Sequence, residues 1–394
     1  MSVPEPLDTL RVLHVSHTAY PGGAELALVR LLDRPTAWQA SLCAPLSGGA
    51  FDKLGHQVRV DRSLPGLPTG GTRSRSPLLA ARYLAALHAG ARRLRNSPLR
   101  ADADLLHANT AAAAIICALA DPQRTTPLVV HLRDLVSTDS LGRFGYTALR
   151  GALRRADGVI ANSQSTLQSA DGLYPAGAPT AVLQSPIGVA VRRTEARLRP
   201  EAKVIGMVGR LQHWKGQHIF LEAFARSFAG TQVRAHIAGA PLFNEVGYAD
   251  ELRRLAQDRG IADQVTFLGH VDDINGFFDS VDIVVHASTR AEPLGQTVIQ
   301  ALAHALPVVA TSGGGPGEWI QPGVNGELVE PGDPEALARV LGTLVSSVDR
   351  RHALAAGAAD TPGIATDDEC VQAHAEFFAQ VRRIARPATA RQDG

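Results

Sequence analysis

Short apolar runs alternate with helix-period patterns along almost the whole chain, and that alternation permits few folds. In the first half the runs are Arg11–Ser16, Gln39–Cys43, Gln57–Val60, Asp104–Ala108, Leu128–Leu132, Val159–Asn162 and Ala181–Gln184. Helical patterns lie between them, chiefly Ala24–Leu32, Leu78–Arg95 and Tyr146–Arg155, and the apolar Ala111–Ala120 reads as a buried helix. The second half repeats the layout: runs at Val204–Val208, Val233–Ala238, Val265–Leu268, Asp282–His286, Pro307–Ala310 and Glu327–Val329, helices at Gln217–Phe228, Tyr248–Arg259, Gln296–Ala305 and Pro334–Ser346. Such alternation predicts βαβ units and parallel sheets. The fold class is therefore α/β, with two doubly wound, Rossmann-like domains. We expect an N-terminal domain over 1–190, a C-terminal domain over 200–365, and a last helix in 366–394 that crosses back to the first domain. Ser185–Lys203, rich in Pro, Arg and Glu, reads as the linker. Ligands of open α/β sheets bind beyond the carboxyl ends of the strands, so the two domains are expected to face each other across a cleft.

Composition excludes several classes. With 394 residues the chain exceeds what one core usually supports, and 45% apolar with 20% charged residues is ordinary for a water-soluble protein. A net charge of +1 gives no global pull toward nucleic acid or membrane. Cys43, Cys117 and Cys370 are too scattered for a metal cluster and read as reduced thiols. Met1–Leu10 lacks the basic-then-apolar layout of a signal peptide, so a cytoplasmic protein is expected.

The residues that suggest chemistry cluster in the second half. Lys215 is one of three lysines, with Lys53 and Lys203, among 39 basic residues. It stands in Gly209-Arg210-Leu211-Gln212-His213-Trp214-Lys215-Gly216, between a strand and a helix. A planar guanidinium beside a compact ammonium suits a diphosphate. Glu292 follows another strand in Glu292-Pro293-Leu294-Gly295; its carboxylate can accept from sugar hydroxyls while the amides of Leu294, Gly295, Gln296 and Thr297 point at the same ligand. Gln300 lies two helical turns on, on the same face. In the first half, Gly22 and Gly23 open a helix after a strand, which lets backbone amides approach an anion or simply makes a tight turn. No acidic residue ends the next strand near Cys43, which argues against NAD. His131 stands at the end of Leu128–Leu132, where either a ligand or a structural hydrogen bond could use it.

With these residues in view, the chain resembles a family 4 glycosyltransferase of the GT-B fold. The likeness runs through Gly22-Gly23-Ala24-Glu25, His131, Gly188, Gly209-Arg210…Lys215-Gly216, Glu292-Pro293-Leu294-Gly295 and Gly313-Gly314 with Glu318; the C-terminal block is the specific part. The resemblance implies a retaining, metal-independent enzyme with no cofactor beyond its co-substrate, a nucleotide diphosphate sugar, UDP-linked ahead of GDP-linked. It implies that Glu292 orients the donor sugar, that Arg210 and Lys215 neutralise the departing diphosphate, and that His131 contacts the sugar from the other domain. Gly269, His270 and Val271 would flank the nucleobase. The acceptor would be a hydroxyl of a small molecule or glycolipid, in natural-product or cell-envelope biosynthesis.

Two positions depart from the family pattern. Gln300 stands where glutamate usually holds both ribose hydroxyls, so Gln300→Glu is expected to lower the donor KM. Ile187 stands where asparagine is frequent. Asp102-Ala103-Asp104 matches a metal-binding Asp-x-Asp signature, but precedes its strand and reads as a solvated turn. The helix Leu78–Arg95 could meet anionic lipid through Arg92, Arg93 and Arg95, with Arg73 and Arg75 upstream; basic residues in a last helical turn are the simpler reading. Acceptor choice is expected in the loops Leu46–Phe51, Pro65–Pro77 and Val136–Tyr146. The rival functions are a nucleotide-sugar 2-epimerase, which needs carboxylates beyond Glu292, and a non-catalytic nucleotide-sugar binder.

Overall fold

Neighbouring residues of the central apolar runs enter different cores, so these runs pair into sheets covered on both faces. Leu13 and Val15 join one cluster and Val12 another; Val130 and Val129, Val159 and Ile160 divide the same way. In the second half Ile283 and Val285 enter one core and Val284 the other. Strands buried on both sides read as continuous apolar runs, and helices must cover the two faces.

The structure, a computed structural model, describes residues 9–68, 77–192, 201–241 and 246–385. Expectations that fall on 1–8, on Arg73 and Arg75, on 193–200 and on the tail after 385 lie outside the described residues. The first-half strands are β1 (Arg11–Val15), β2 (Gln39–Pro45), β3 (Arg59–Leu64), β4 (Leu105–Ala108), β5 (Leu128–Leu132), β6 (Gly158–Ala161) and β7 (Thr180–Val182). They form one parallel sheet in the order β3-β2-β1-β4-β5-β6-β7. The second-half strands are β8 (Val204–Val208), β9 (Arg234–Ala238), β10 (Val265–Gly269), β11 (Ile283–His286), β12 (Val308–Thr311) and β13 (Glu327–Val329). Their sheet, also parallel, runs β10-β9-β8-β11-β12-β13. In both sheets the order reverses beside the first strand, between β1 and β4 and between β8 and β11, and that reversal opens the crevice where such sheets bind ligands.

The chain divides into two compact units, Ile187–Thr366 and, together, Met1–Pro186 with Asp367–Gly394. The helix Asp367–Ala385 thus belongs with the first sheet. Phe377, Phe378 and Val381 join the core that contains Val12, Val129 and Ile160. A Cβ on Gly158 would stand 3.2 Å from the Phe377 ring, so β6 has glycine where this helix presses on it. Arg34 pairs with Asp367 and Asp368 at the helix start, and Arg382 with Asp104 near its end.

Local chemistry explains where elements depart from the pattern. Val136–Tyr146, expected as a loop, is largely helical: within Thr138–Leu153 two helical segments meet at a non-helical Gly142 (φ 70°, ψ 159°), with the Ser137 side chain accepting from the Ser140 amide. Val348–Ala359 is an unforeseen helix, because its buried face of Arg351, Leu354, Ala355 and Ala358 has one large apolar residue and shows no apolar stripe. Asp104 is no solvated turn residue. Its carboxylate accepts from the Arg11 backbone and guanidinium at 3.0–3.1 Å. Arg95 donates to the Leu119 and Ala120 carbonyls, which end the helix Ala111–Ala120. All three cysteines are buried free thiols, pushed up by burial, Cys43 and Cys370 to about 12. No described helix is long and apolar enough to cross a membrane.

Candidate functional site

The second sheet builds its site at the reversal between β8 and β11. The loop after β8 turns at Gly216 (φ 76°), where a Cβ would collide with the Ala287 carbonyl just past β11. Only glycine lets the two loops close together. The Thr289 amide seals the approach by donating to Trp214 O at 2.7 Å. Lys215 is carried into that junction: its Nζ is 2.5 Å from Glu292 Oε1 and 4.3 Å from the Trp214 ring centroid. Glu292 is fixed from the other side. Its Oε2 accepts from Ser288 Oγ at 2.8 Å and lies 2.8 Å from His286 Nε2. Its backbone is held by Gly314 and Gly315: Gly315 N donates to Glu292 O at 2.8 Å, and a Cβ on Gly314 would strike that carbonyl.

Burial would raise the Glu292 carboxyl. Lys215 and His286 outweigh it and hold the group well below the usual carboxylate range. The site therefore contains a carboxylate ionised at any working pH, with side chains of Lys215 and Glu292 only 15% and 12% exposed. A carboxylate offers about four lone-pair positions, and three are occupied here, which leaves one for an incoming hydroxyl. An ammonium has three N–H groups and spends one on Glu292, so two remain for further oxygens.

The other expected residues fall at several distances from this pair. Arg210 is exposed, with no partner for its guanidinium among the described residues, while its carbonyl accepts from Gln217 Nε2 at 2.9 Å. Leu294 is buried, and Gly295 (φ 72°) caps the helix Gln296–Ala303, so the first N–H groups at Gln296 and Thr297 open beside Glu292. Gly209, Gly239 and Gly269 line the carboxyl edge of β8, β9 and β10, linked by Gly209 N to Ala238 O and Gly239 N to Gly269 O. His270 beyond that edge is exposed, 3.7 Å from Asp272, and Val271 is half-buried.

Gln300 requires a different account from the one its helix position suggested. It is 4% exposed, and its Nε2 donates to Ile187 O at 2.7 Å. The two positions that depart from the family pattern are thus bonded to each other. A glutamate could not make that donation.

In the first sheet the reversal lies between β1 and β4. Gly22 precedes the helix Gly23–Leu32 and supplies no side-chain cap. Beside it Glu25 is buried, and Asn109, fully buried after β4, donates from Nδ2 to Ala24 O at 3.1 Å. His131 lies elsewhere. It is 0% exposed, and strand alternation turns it inward with Val129. Its Nδ1 is 3.1 Å from His107 Nε2, and His107 Nδ1 is 2.8 Å from His14 Nδ1. Trp38 Nε1, which can only donate, reaches His14 Nε2 at 3.0 Å. His374 and Phe378 of the last helix close the ring cluster. The expectation was that His131 reaches a sugar; the structure places its ring among other rings, with Nε2 lacking a hydrogen-bond partner among the described residues. The side chain that does occupy the strand's open end is Arg133, two residues on. It went unnoticed because arginine is abundant here, although its position directly after a buried strand was visible.

Among the described residues no group of three or more His, Cys, Asp or Glu could hold a metal ion.

Comparison with known proteins agrees with this geometry. A family model described as Glycosyltransferase Family 4 matches residues 21–187, and one described as Glycosyl transferases group 1 matches residues 191–361. The lipopolysaccharide core biosynthesis glycosyltransferase LpsE of Rhizobium meliloti is 34% identical over 167 residues, 42% of this chain and 46% of that protein. A D-inositol 3-phosphate glycosyltransferase of Geodermatophilus obscurus is 32% identical over 258 residues, 59% of this chain and 56% of that protein. The matches thus span about half the length of these curated relatives. Among solved structures, HepE of Anabaena in complex with UDP superposes with a TM-score of 0.75 at 27% identity, covering 94% of this chain and all of that one. The same protein with UDP-glucose gives 0.73 at 29% identity, covering 94% of this chain and 99% of that one.

Proposed function

Because the chain belongs to the family 4 glycosyltransferases and has their GT-B fold of two α/β domains, we propose that it transfers a hexosyl or N-acetylhexosaminyl group, with retention, from a UDP-sugar to an acceptor hydroxyl. The observation that carries this reading is the Lys215–Glu292 pair, set between two strand ends beside a helix N-terminus. UDP-glucose is the favoured donor class, since HepE binds UDP and UDP-glucose.

In this reading the free position on Glu292 takes a sugar hydroxyl and fixes the ring. The two spare N–H groups of Lys215 and the Arg210 guanidinium receive the diphosphate, helped by the amides at Gln296 and Thr297. The acceptor oxygen attacks the anomeric carbon from the face the diphosphate leaves. One C–O bond forms as the other breaks, and the acceptor proton passes to a diphosphate oxygen. Rate comes from positioning and from stabilising the leaving charge, with no protein nucleophile and no metal ion. The acceptor is a small-molecule or glycolipid hydroxyl of natural-product or cell-envelope biosynthesis.

The test is acceptor-dependent release of UDP from UDP-glucose in EDTA, preceded by a thermal-shift screen of UDP- and GDP-sugars. Release that needs added divalent ion would refute metal independence. Sugar isomerisation without acceptor would establish the epimerase, and binding without release the non-catalytic reading.

A further inference from the structure

Among the described residues, Arg133 donates only to neutral partners. Its Nε donates to Asn109 O at 3.1 Å and Oδ1 at 3.0 Å, its Nη2 to Asn109 Oδ1 at 2.8 Å, and its Nη1 to Ser185 Oγ at 2.8 Å. No described carboxylate is within ion-pair distance of it; Glu25 and Asp134 act only at longer range. Burial lowers the guanidinium to about 10, which those two carboxylates oppose. A desolvated cation without an ion-pair partner is expensive to keep.

The cradle is rigid. Asn109 is 0% exposed and Ser185 2% exposed. Asn109 is itself fixed through Ala24 O and, by its amide, through Val15 O. Arg133 remains partly open. Of five guanidinium N–H groups the three side-chain and backbone partners use three, so Nη1 and Nη2 each retain one. The group sits beside the β1/β4 reversal, next to the uncapped start of the helix Gly23–Leu32, whose dipole also favours an anion.

We propose that Arg133 is an oxyanion-binding residue, and that its two spare N–H groups hold phosphoryl or carboxylate oxygens of the ligand at the carboxyl end of the first sheet. The glycosyl-transfer reading enters only in naming two sources for that anion, the donor diphosphate or a charged group on the acceptor.

The experiment is calorimetric titration of the full chain and of Arg133→Met and Arg133→Lys, first with UDP, then with inorganic phosphate at saturating UDP. A rise of about tenfold or more in the UDP Kd for both variants supports the donor source; phosphate binding that both variants lose supports the acceptor source. Should Arg133→Met fail to fold, Arg133→Lys carries the test, because it keeps the charge and loses the fork. Equal UDP and phosphate binding by wild type and Arg133→Lys overturns the proposal, as does wild-type protein that takes up neither. Wild type that binds phosphate but not UDP would instead count against the UDP-donor reading.

Discussion

Two sets of buried histidines, one from each unit, do opposite work. In the first, His14, His107, His131 and His374, each with 0% exposure, lie together among Trp38 and Phe378. Burial holds every one below the usual imidazole range, His14 to about 3 and His374 to about 4. These rings are neutral, and their tautomers follow from one end. Because Trp38 donates to His14 Nε2, His14 must donate from Nδ1 to His107, and His107 from Nε2 to His131. In the second unit His286 is 5% exposed, yet faces Glu292 and Ser288 beside Lys215. There the ring helps keep a carboxylate charged. Residue type and burial are nearly the same; the partners decide whether a histidine fills a core or serves a site.

Acid should separate the two most strongly. Folded-state pKa values below the unfolded 6.5 mean that the unfolded chain binds more protons, so stability present above pH 6.5 drains away as pH falls toward 4. At pH 5, His14 and His374 together remove about 4 kcal/mol by this linkage. Urea midpoints should fall steeply between pH 6.5 and 5, while His14→Phe should flatten that dependence; a flat wild-type profile contradicts neutral rings. Glu292, held low, adds nothing in this range.

The second unit should break differently. Lys215→Ala removes a cation from the proposed leaving-group site and should lower kcat by about 10²–10³. It also strips Glu292 of the partner that offsets its burial, so the carboxyl must rise and an acidic limb should enter the pH–rate profile. Near-normal turnover in this variant would remove the ammonium from the mechanism.

The same contrast marks what the sequence could disclose. Fold class was legible because Val12/Leu13-type alternation and helix periods are local patterns, and thirteen apolar runs became the strands of two parallel sheets. Lys215 and Glu292 could be singled out because a rare lysine and a carboxylate each followed a strand. That they meet, 77 positions apart, comes from Gly216 and Ala287 closing two loops, which no local pattern encodes. His286 and Ser288 went unread because a strand-end histidine looks alike whether it faces Glu292 or, like His131, the core. Strand parity does not separate them either, since His131 shares a face with Val129 and His286 with Val284, and both valines are fully buried.

Gln300 sharpens the point about partners. Gln300→Glu was expected to improve donor binding, but it replaces the donor to Ile187 O with a carboxylate at a 4% exposed position. We expect a stability loss of about 1–3 kcal/mol from the unpaired carbonyl. Chemical denaturation will show it, and an unchanged midpoint would mean that the amide bond to Ile187 contributes nothing.

The smallest effect expected tests whether the second-unit site is a network or a pair. Ser288→Ala deletes one of three side-chain partners of Glu292 and leaves His286 on the same oxygen, Oε2. If His286 and Lys215 suffice to orient the carboxylate, the loss in kcat/KM should be about 1 kcal/mol, a fewfold change, carried in KM because the sugar contact loosens without losing a charge. His286→Ala in the Ser288→Ala background should then cost more than the two single losses added, since Oε2 would lose both donors at once. Strict additivity would instead show that Ser288 and His286 hold Glu292 independently, and a double variant with no loss would reduce His286 to the filling role that its four counterparts play in the first unit.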